Sequence, residues 1–242
     1  MSHPEREMFI KICGNTSVGD TLLAVESGAD AVGFVLAPSR RQVGCEEVAE
    51  MAAALPAKVG KVGVFATDDF FEIESCIACS GLTAVQLHSV YRASLVREIA
   101  EASPQVKIIQ TIAYELDPVD RRDADARFEA ALRLVFGDAR VWAVLLDAAK
   151  GGASGGLGEA LDWAHVGRIV QRTRESFGER APKVILAGGL RAENVAEAIA
   201  ALKPWGVDVA SGVEAAPGKK DPERVRAFVE QARQGKPEQI PS

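Results

Sequence analysis

Cys13 and Asp147 lie far apart in the sequence, yet both end an apolar run and both can move a proton. Cys13 sits near the end of FIKICG (9–14) and Asp147 near the end of WAVLLDA (142–148). A thiol or a carboxyl at such a position has a plain reading when taken alone: free cysteines are often inert core residues, and a rim carboxylate can cap a helix. If folding brings them to one surface, they become an acid/base pair able to shift a proton at carbon. Period-two alternation puts Lys11 beside Cys13 on one strand face, and it groups Asp147 with Ala143 and Leu145.

Two further run ends are built from small residues. Leu186-Ala187-Gly188-Gly189 and Ser211-Gly212-Val213-Glu214 would let backbone N–H groups approach an anion, with a short helix start adding positive dipole. Tight turns are the plain alternative for each. Ser39-Arg40-Arg41 follows the second run, where a guanidinium could grip a carboxylate through paired donors or simply lie in solvent. His88 ends the fourth run as a ligand contact or a structural histidine. Cys76 and Cys79 have CxxC spacing but fall in a helical stretch, where positions i and i+3 share a face, so packing accounts for both. No second cysteine pair or partnered histidine completes a zinc set, so no metal is expected.

These residues need a scaffold, and the sequence spells one out. Eight short apolar runs begin near residues 9, 31, 61, 84, 107, 142, 183 and 206, and each is followed by a helix-like stretch. The helices are read at about 17–28, 45–54, 69–80, 91–102, 118–135, 163–177, 191–201 and 221–234, with Thr16 or Ser17, Asp162 and Pro222 as start signals. Near-continuous apolar strands suit a parallel sheet buried on both faces. Cys13-Gly14-Asn15-Thr16 lacks the glycines of a dinucleotide fingerprint, and no reversal of strand order is signalled. The expected fold is therefore a single-domain (β/α)8 TIM barrel with its core over residues 8–235 and loose ends at 1–7 and 236–242. In that fold the chemistry belongs to the loops after the strands, and phosphate to the loops after strands seven and eight.

At 242 residues and 48% hydrophobic content the chain can bury a full core without staples. A net charge of −6 without a basic stretch argues against nucleic acid and anionic membranes as partners. Four sparse cysteines and a polar start, MSHPEREM, point to the cytoplasm.

With these residues in place, the chain resembles the phosphoribosylanthranilate isomerase family. The likeness is carried by KICG (11–14), ESGADAVGFVLAPSRRQV (26–43), VQLH (85–88), LLDA (145–148), LDW (161–163), LAGGLRAENVAEAI (186–199) and GVDVASGVEAAPGKKD (206–221), in the family's order over nearly the whole chain. The resemblance implies an aldose–ketose isomerase of tryptophan biosynthesis that performs an Amadori rearrangement. It implies Cys13 as general base, Asp147 as general acid, Arg41 on the anthranilate carboxylate, and Gly188, Gly189, Ser211 and Gly212 around the phosphate; His88, by its position at the rim, is expected as a further substrate contact. The substrate's own imine is the electron sink, so no cofactor is expected. Cys13 should have its pKa lowered by nearby positive charge, and Asp147 should have its raised by burial. Because strand eight borders strand one in a closed barrel, Lys11 and Asp208 are expected to pair beneath the site. The glycine-rich segment 149–160 is read as a lid, and the protein as a monomer or homodimer. The competing readings are a dual-substrate sugar isomerase, which would carry aspartate in place of Cys13, and a non-catalytic phosphate-binding barrel.

Overall fold

The computed structural model describes residues 8–150, 153–154 and 162–235 of the chain. Eight strands form the wall: β1 (Phe9–Ile12), β2 (Ala31–Val35), β3 (Gly60–Phe65), β4 (Ala84–Leu87), β5 (Lys107–Glu115), β6 (Val141–Lys150), β7 (Lys183–Leu186) and β8 (Gly206–Val209). Neighbours pair in parallel in the order β5-β4-β3-β2-β1-β8-β7-β6, and a β5–β6 pairing closes the ring. Eight helices alternate with them: α1 (Val18–Glu26), α2 (Cys45–Ala53), α3 (Phe70–Ser80), α4 (Ala93–Ala102), α5 (Arg121–Phe136), α6 (Trp163–Glu175), α7 (Val195–Leu202) and α8 (Pro222–Gln234).

Local chemistry fixes the helix starts. The side chains of Ser17, Asp69, Asp120, Asp162 and Asp221 each accept from a backbone N–H of the first turn of α1, α3, α5, α6 and α8, satisfying donors that the helix itself cannot. Two apolar layers result. Val32, Phe34, Ile73, Val85, Val144 and Phe228 belong to the layer between wall and helices, whereas Ala31, Val62, Ala84, Ile109, Ala143, Leu145, Ile185 and Trp205 fill the barrel interior.

Several details depart from the sequence expectation. β5 runs to Glu115 and β6 to Lys150, because the two strands go on pairing from Ala113↔Asp147 to Glu115↔Ala149. α7 begins at Val195 rather than 191, since Asn194 folds 191–194 into a turn. Cys79 is exposed while Cys76 is buried, so packing explains Cys76 and not Cys79, which lies off the buried stripe of Ile73, Cys76, Ile77 and Ser80. The termini 1–7 and 236–242, and most of the segment 149–160, lie outside the described residues. No helix among the described residues is long and apolar enough to cross a membrane.

Candidate active site

Parallel strands deliver their C-terminal ends to one rim, and the residues singled out in the sequence meet there. A cavity of about 300 Å³ is lined by Cys13, Arg41, His88, Asp147, Gly188, Gly189, Asp208, Ser211 and Gly212. Lys11 lies one turn of the pleat below Cys13 and is fully buried.

The base of the cavity is ionic. Lys11 and Asp208 stand opposite each other in the β1–β8 register, and Lys11 Nζ donates to Asp208 Oδ1 at 2.9 Å. Neither charge could be buried cheaply alone. Room for Lys11 and Cys13 comes from Gly33 on β2: a Cβ there would stand 2.6 Å from Cys13 Sγ and 3.1 Å from Lys11 Cε. Cys13 N donates to Val209 O at 2.8 Å, which extends the ladder one residue past the strand and fixes the thiol at the rim.

The two candidate proton carriers differ in environment. Burial pushes the Asp147 carboxyl up to about 6, against the pull of its hydrogen bond from Ala148 N at 2.8 Å. That agrees with the expectation for an acid. Burial also pushes the Cys13 thiol up, while Lys11 and Lys220 pull it down. The expected net lowering of Cys13 is therefore not what the site builds: desolvation outweighs the cations. His88 is held below its ordinary value, by burial first and by Lys11 second, which favours a neutral imidazole.

On the other side of the cavity, β7 ends in Gly188 (φ +82°) and Gly189 (φ +66°), both left-handed. Asn194 clamps this turn, its Nδ2 donating to Gly189 O at 3.0 Å and its Oδ1 accepting from Arg191 N at 2.8 Å. After β8 the chain makes only the three-residue 3₁₀ turn Ser211–Val213. The helix-dipole contribution expected there is accordingly not built, because three residues do not sum to a macrodipole. Turn N–H groups and the Ser211 hydroxyl are the donors that these two turns have to offer an anion at the cavity wall.

Arg41 lines the cavity, whereas Arg40 is exposed. The Arg41 fork is engaged: Nε donates to Glu214 Oε1 at 2.7 Å and Nη2 to Glu214 Oε2 at 2.8 Å. Buried Lys220 also reaches Glu214 Oε1, at 3.1 Å. Sequence reasoning passed over Glu214, Lys220 and Asn194. All three fall in segments that carry the family resemblance, 186–199 and 206–221, but as polar residues in loops they read as solvated turns.

Known proteins resemble this chain over nearly its whole length. The sequence profile of the family described as N-(5'-phosphoribosyl)anthranilate (PRA) isomerase matches residues 10–231. An N-(5'-phosphoribosyl)anthranilate isomerase from Symbiobacterium thermophilum is 40% identical over 238 residues, covering 93% of this chain and 98% of that protein. The enzyme of that name from Thermotoga maritima is 37% identical over 225 residues, with coverage of 93% and 98%. Among solved structures, phosphoribosyl anthranilate isomerase from Thermotoga maritima superposes with a TM-score of 0.75 at 34% identity, covering 94% of this chain and 99% of that one. A structure of such an isomerase in complex with reduced 1-(o-carboxyphenylamino)-1-deoxyribulose 5-phosphate superposes with a TM-score of 0.73 at 33% identity, with coverage of 94% and 99%.

Proposed function

The chain belongs to the N-(5'-phosphoribosyl)anthranilate isomerase family, and from that premise we propose that Cys13 and Asp147 are the base and acid that carry its reaction. The observation behind this reading is that a thiol and a carboxyl from opposite sides of the wall line one cavity together with the glycine turns of β7 and β8. The family's reaction is an Amadori rearrangement in tryptophan biosynthesis, in which an aminoaldose becomes an aminoketose.

Asp147 in its protonated form donates to the furanose ring oxygen, and the ring opens to a cationic imine. Cys13 as thiolate removes the proton from the sugar C2′. The electron pair flows into the imine, and the resulting enolamine tautomerises to the ketone. Arg41 holds the anthranilate carboxylate, with His88 as a further contact at the mouth. Gly188, Gly189, Ser211 and Gly212 hold the phosphate through backbone and hydroxyl donors. Lys11 and Asp208 support the floor of the site.

Burial sets the two reacting groups in an order that the mechanism must invert. With Asp147 at about 6 and Cys13 raised, one shared proton rests mainly on the thiol. The reactive arrangement, thiolate with carboxylic acid, is the minor tautomer. Once Asp147 has given its proton to the ring oxygen, the cationic imine so formed stabilises the neighbouring Cys13 thiolate, which then takes the C2′ proton, because a nearby positive charge favours a thiolate.

Four free thiols suit a reducing compartment, and the cytoplasm is part of this reading. The oligomeric state, monomer or homodimer, is read directly by sedimentation. The decisive experiment is a coupled assay with freshly made phosphoribosylanthranilate. Turnover by the parent chain and its loss in Cys13→Ala support the assignment. Parental kcat in Cys13→Ala removes the thiol from the mechanism.

A further inference from the structure

We propose that Glu214 and Lys220, neither of which lines the cavity, form a buried carboxylate–ammonium unit that positions the substrate-holding arginine and the catalytic thiol together. The proposal rests on the reading of Arg41 and Cys13 given above and adds to it the two residues that fix them.

The geometry is that of a hub. Lys220 has three N–H donors, and each has a close acceptor: Cys13 O at 2.6 Å, Ala210 O at 3.2 Å and Glu214 Oε1 at 3.1 Å. One ammonium thus ties the end of β1 to the end of β8. The Lys220 side chain is fully buried and that of Glu214 nearly so. An ammonium placed there at the cost of its hydration has a defined position, unlike a surface lysine. Glu214 spends both oxygens on Arg41 and shares one of them with Lys220.

The mode of the Arg41 contact matters. Glu214 takes the side edge of the guanidinium, through Nε and Nη2. A guanidinium has five N–H donors in a rigid plane, so a side-edge pair leaves the end edge, with Nη1 and the second Nη2 hydrogen, for another carboxylate. Glu214 stands behind Arg41 and aims that edge, rather than occupying the place of the substrate. Gly14 leaves room for this pose, since a Cβ there would stand 2.6 Å from Arg41 Cδ. The charged groups that face Cys13 are Lys11 on its own strand, Asp208 on β8, Arg41 from the loop after β2 and Lys220 from the loop after β8. Lys11, paired with Asp208, also bonds the thiol and exerts the stronger of the two ammonium pulls on it. Lys220 adds a cation on the side of the thiol where the backbone carbonyl points.

Two near-isosteric substitutions separate the two duties of the unit. Glu214→Gln should raise KM for phosphoribosylanthranilate roughly tenfold with kcat within about twofold, the signature of lost uniform binding. Lys220→Met should lower kcat at neutral pH and move the pH profile of Cys13 alkylation by iodoacetamide, read by peptide mass spectrometry, to higher pH. Alkylation needs no substrate, so it reports on Lys220 whether or not Cys13 proves to be the base. Arg41→Ala is measured alongside. A raised KM in Arg41→Ala with an unchanged KM in Glu214→Gln overturns the positioning role. An unchanged KM in both overturns the reading of Arg41 and the proposal with it. An unmoved alkylation profile in Lys220→Met overturns the part assigned to the ammonium. Near-UV circular dichroism checks that each variant is folded; should Lys220→Met fail, Glu214→Gln still decides through KM.

Discussion

The two ends of this barrel bury different things. At the C-terminal mouth the wall encloses charge: Lys11, Asp208, Asp147, Glu214 and Lys220 are all buried. At the N-terminal floor it encloses rings. Phe9 and Trp205 lie 4.4 Å apart, centroid to centroid, and Trp142 meets Trp205 edge-on at 5.2 Å. The ammonium groups of Lys107 and Lys183 stand over the Trp142 ring at 4.6 and 4.8 Å. The floor is dominated by ring contacts, which favour folding. The mouth holds polar groups in arrangements that folding alone would not select. One end of the barrel carries stability and the other carries chemistry, and substitutions should divide accordingly.

The largest effects test that division directly. Cys13→Ala and Asp147→Asn should each lower kcat by about 10²–10⁴-fold, the range for a positioned acid or base. Exposed Cys79→Ala is the control and should leave kcat at the parental level. Asp147→Asn should also stabilise the fold at neutral pH. Its folded pKa of about 6 lies above the ordinary aspartate value of 3.8, so the folded state favours the protonated form. The stability is full below the unfolded pKa and declines as pH rises through the window between the two values. A neutral amide escapes that penalty, worth up to roughly 3 kcal/mol. Thermal unfolding at pH 7 measures it, and a lower Tm for Asp147→Asn contradicts the argument. Trp205→Ala should do the reverse: it removes a buried ring at a cost of about 3–5 kcal/mol and leaves kcat near parental in the folded fraction. A Trp205 variant that folds well but turns over slowly would show that the floor is not separate from the chemistry.

Smaller effects sharpen the comparison within the mouth. Arg41→Ala should raise KM by roughly ten- to a hundredfold, the loss of one charged hydrogen-bond partner, while exposed Arg40→Ala should change it little. Gly189→Asp should raise KM by a similar factor by setting a carboxylate beside the phosphate, on a left-handed backbone that also resists the side chain. Steady-state kinetics on the three variants decides. Equal effects at positions 40 and 41 undo the carboxylate assignment, and an unchanged KM in folded Gly189→Asp moves the phosphate elsewhere.

What the sequence disclosed follows the same line. Strands buried on both faces read as unbroken apolar runs, so all eight were legible, and alternation along β1 and β8 was enough to foresee that Lys11 meets Asp208. The strand extensions past Ile112 and Ala148 were not legible, because they depend on pairing between β5 and β6 rather than on composition. Glu214 and Lys220 escaped notice for a related reason. Lys220 is 207 positions from Cys13, and only the loop after β8 folding back against the rim makes them neighbours. The sign of the Cys13 shift was misjudged because cations can be counted from sequence while desolvation cannot.

The smallest predicted effect is the pH dependence, and it bears on how the mouth stores its proton. A thiolate base and a carboxylic acid would ordinarily give a bell in which the thiol sets the acidic limb. Here the order is reversed, since Asp147 sits at about 6 and Cys13 is raised. The state holding one proton between the two groups fills the window between those values, and its pH dependence is the same whichever group carries the proton. Below about 6 a second proton is taken up, the base is lost, and kcat/KM should fall by up to about tenfold per pH unit. The acidic limb therefore reports the carboxyl, although the carboxyl acts as the acid. In the residual activity of Asp147→Asn the limb near 6 should be replaced by one at higher pH, set by the raised Cys13 thiol. His88 is the other group in the cavity that could titrate nearby, but burial and Lys11 hold it below its ordinary value, so His88→Asn should leave the limb in place. Profiles from pH 5 to 8 on the parent and both variants distinguish the cases. A limb near 6 that survives in Asp147→Asn and disappears in His88→Asn would transfer the titration to the imidazole and end the shared-proton account.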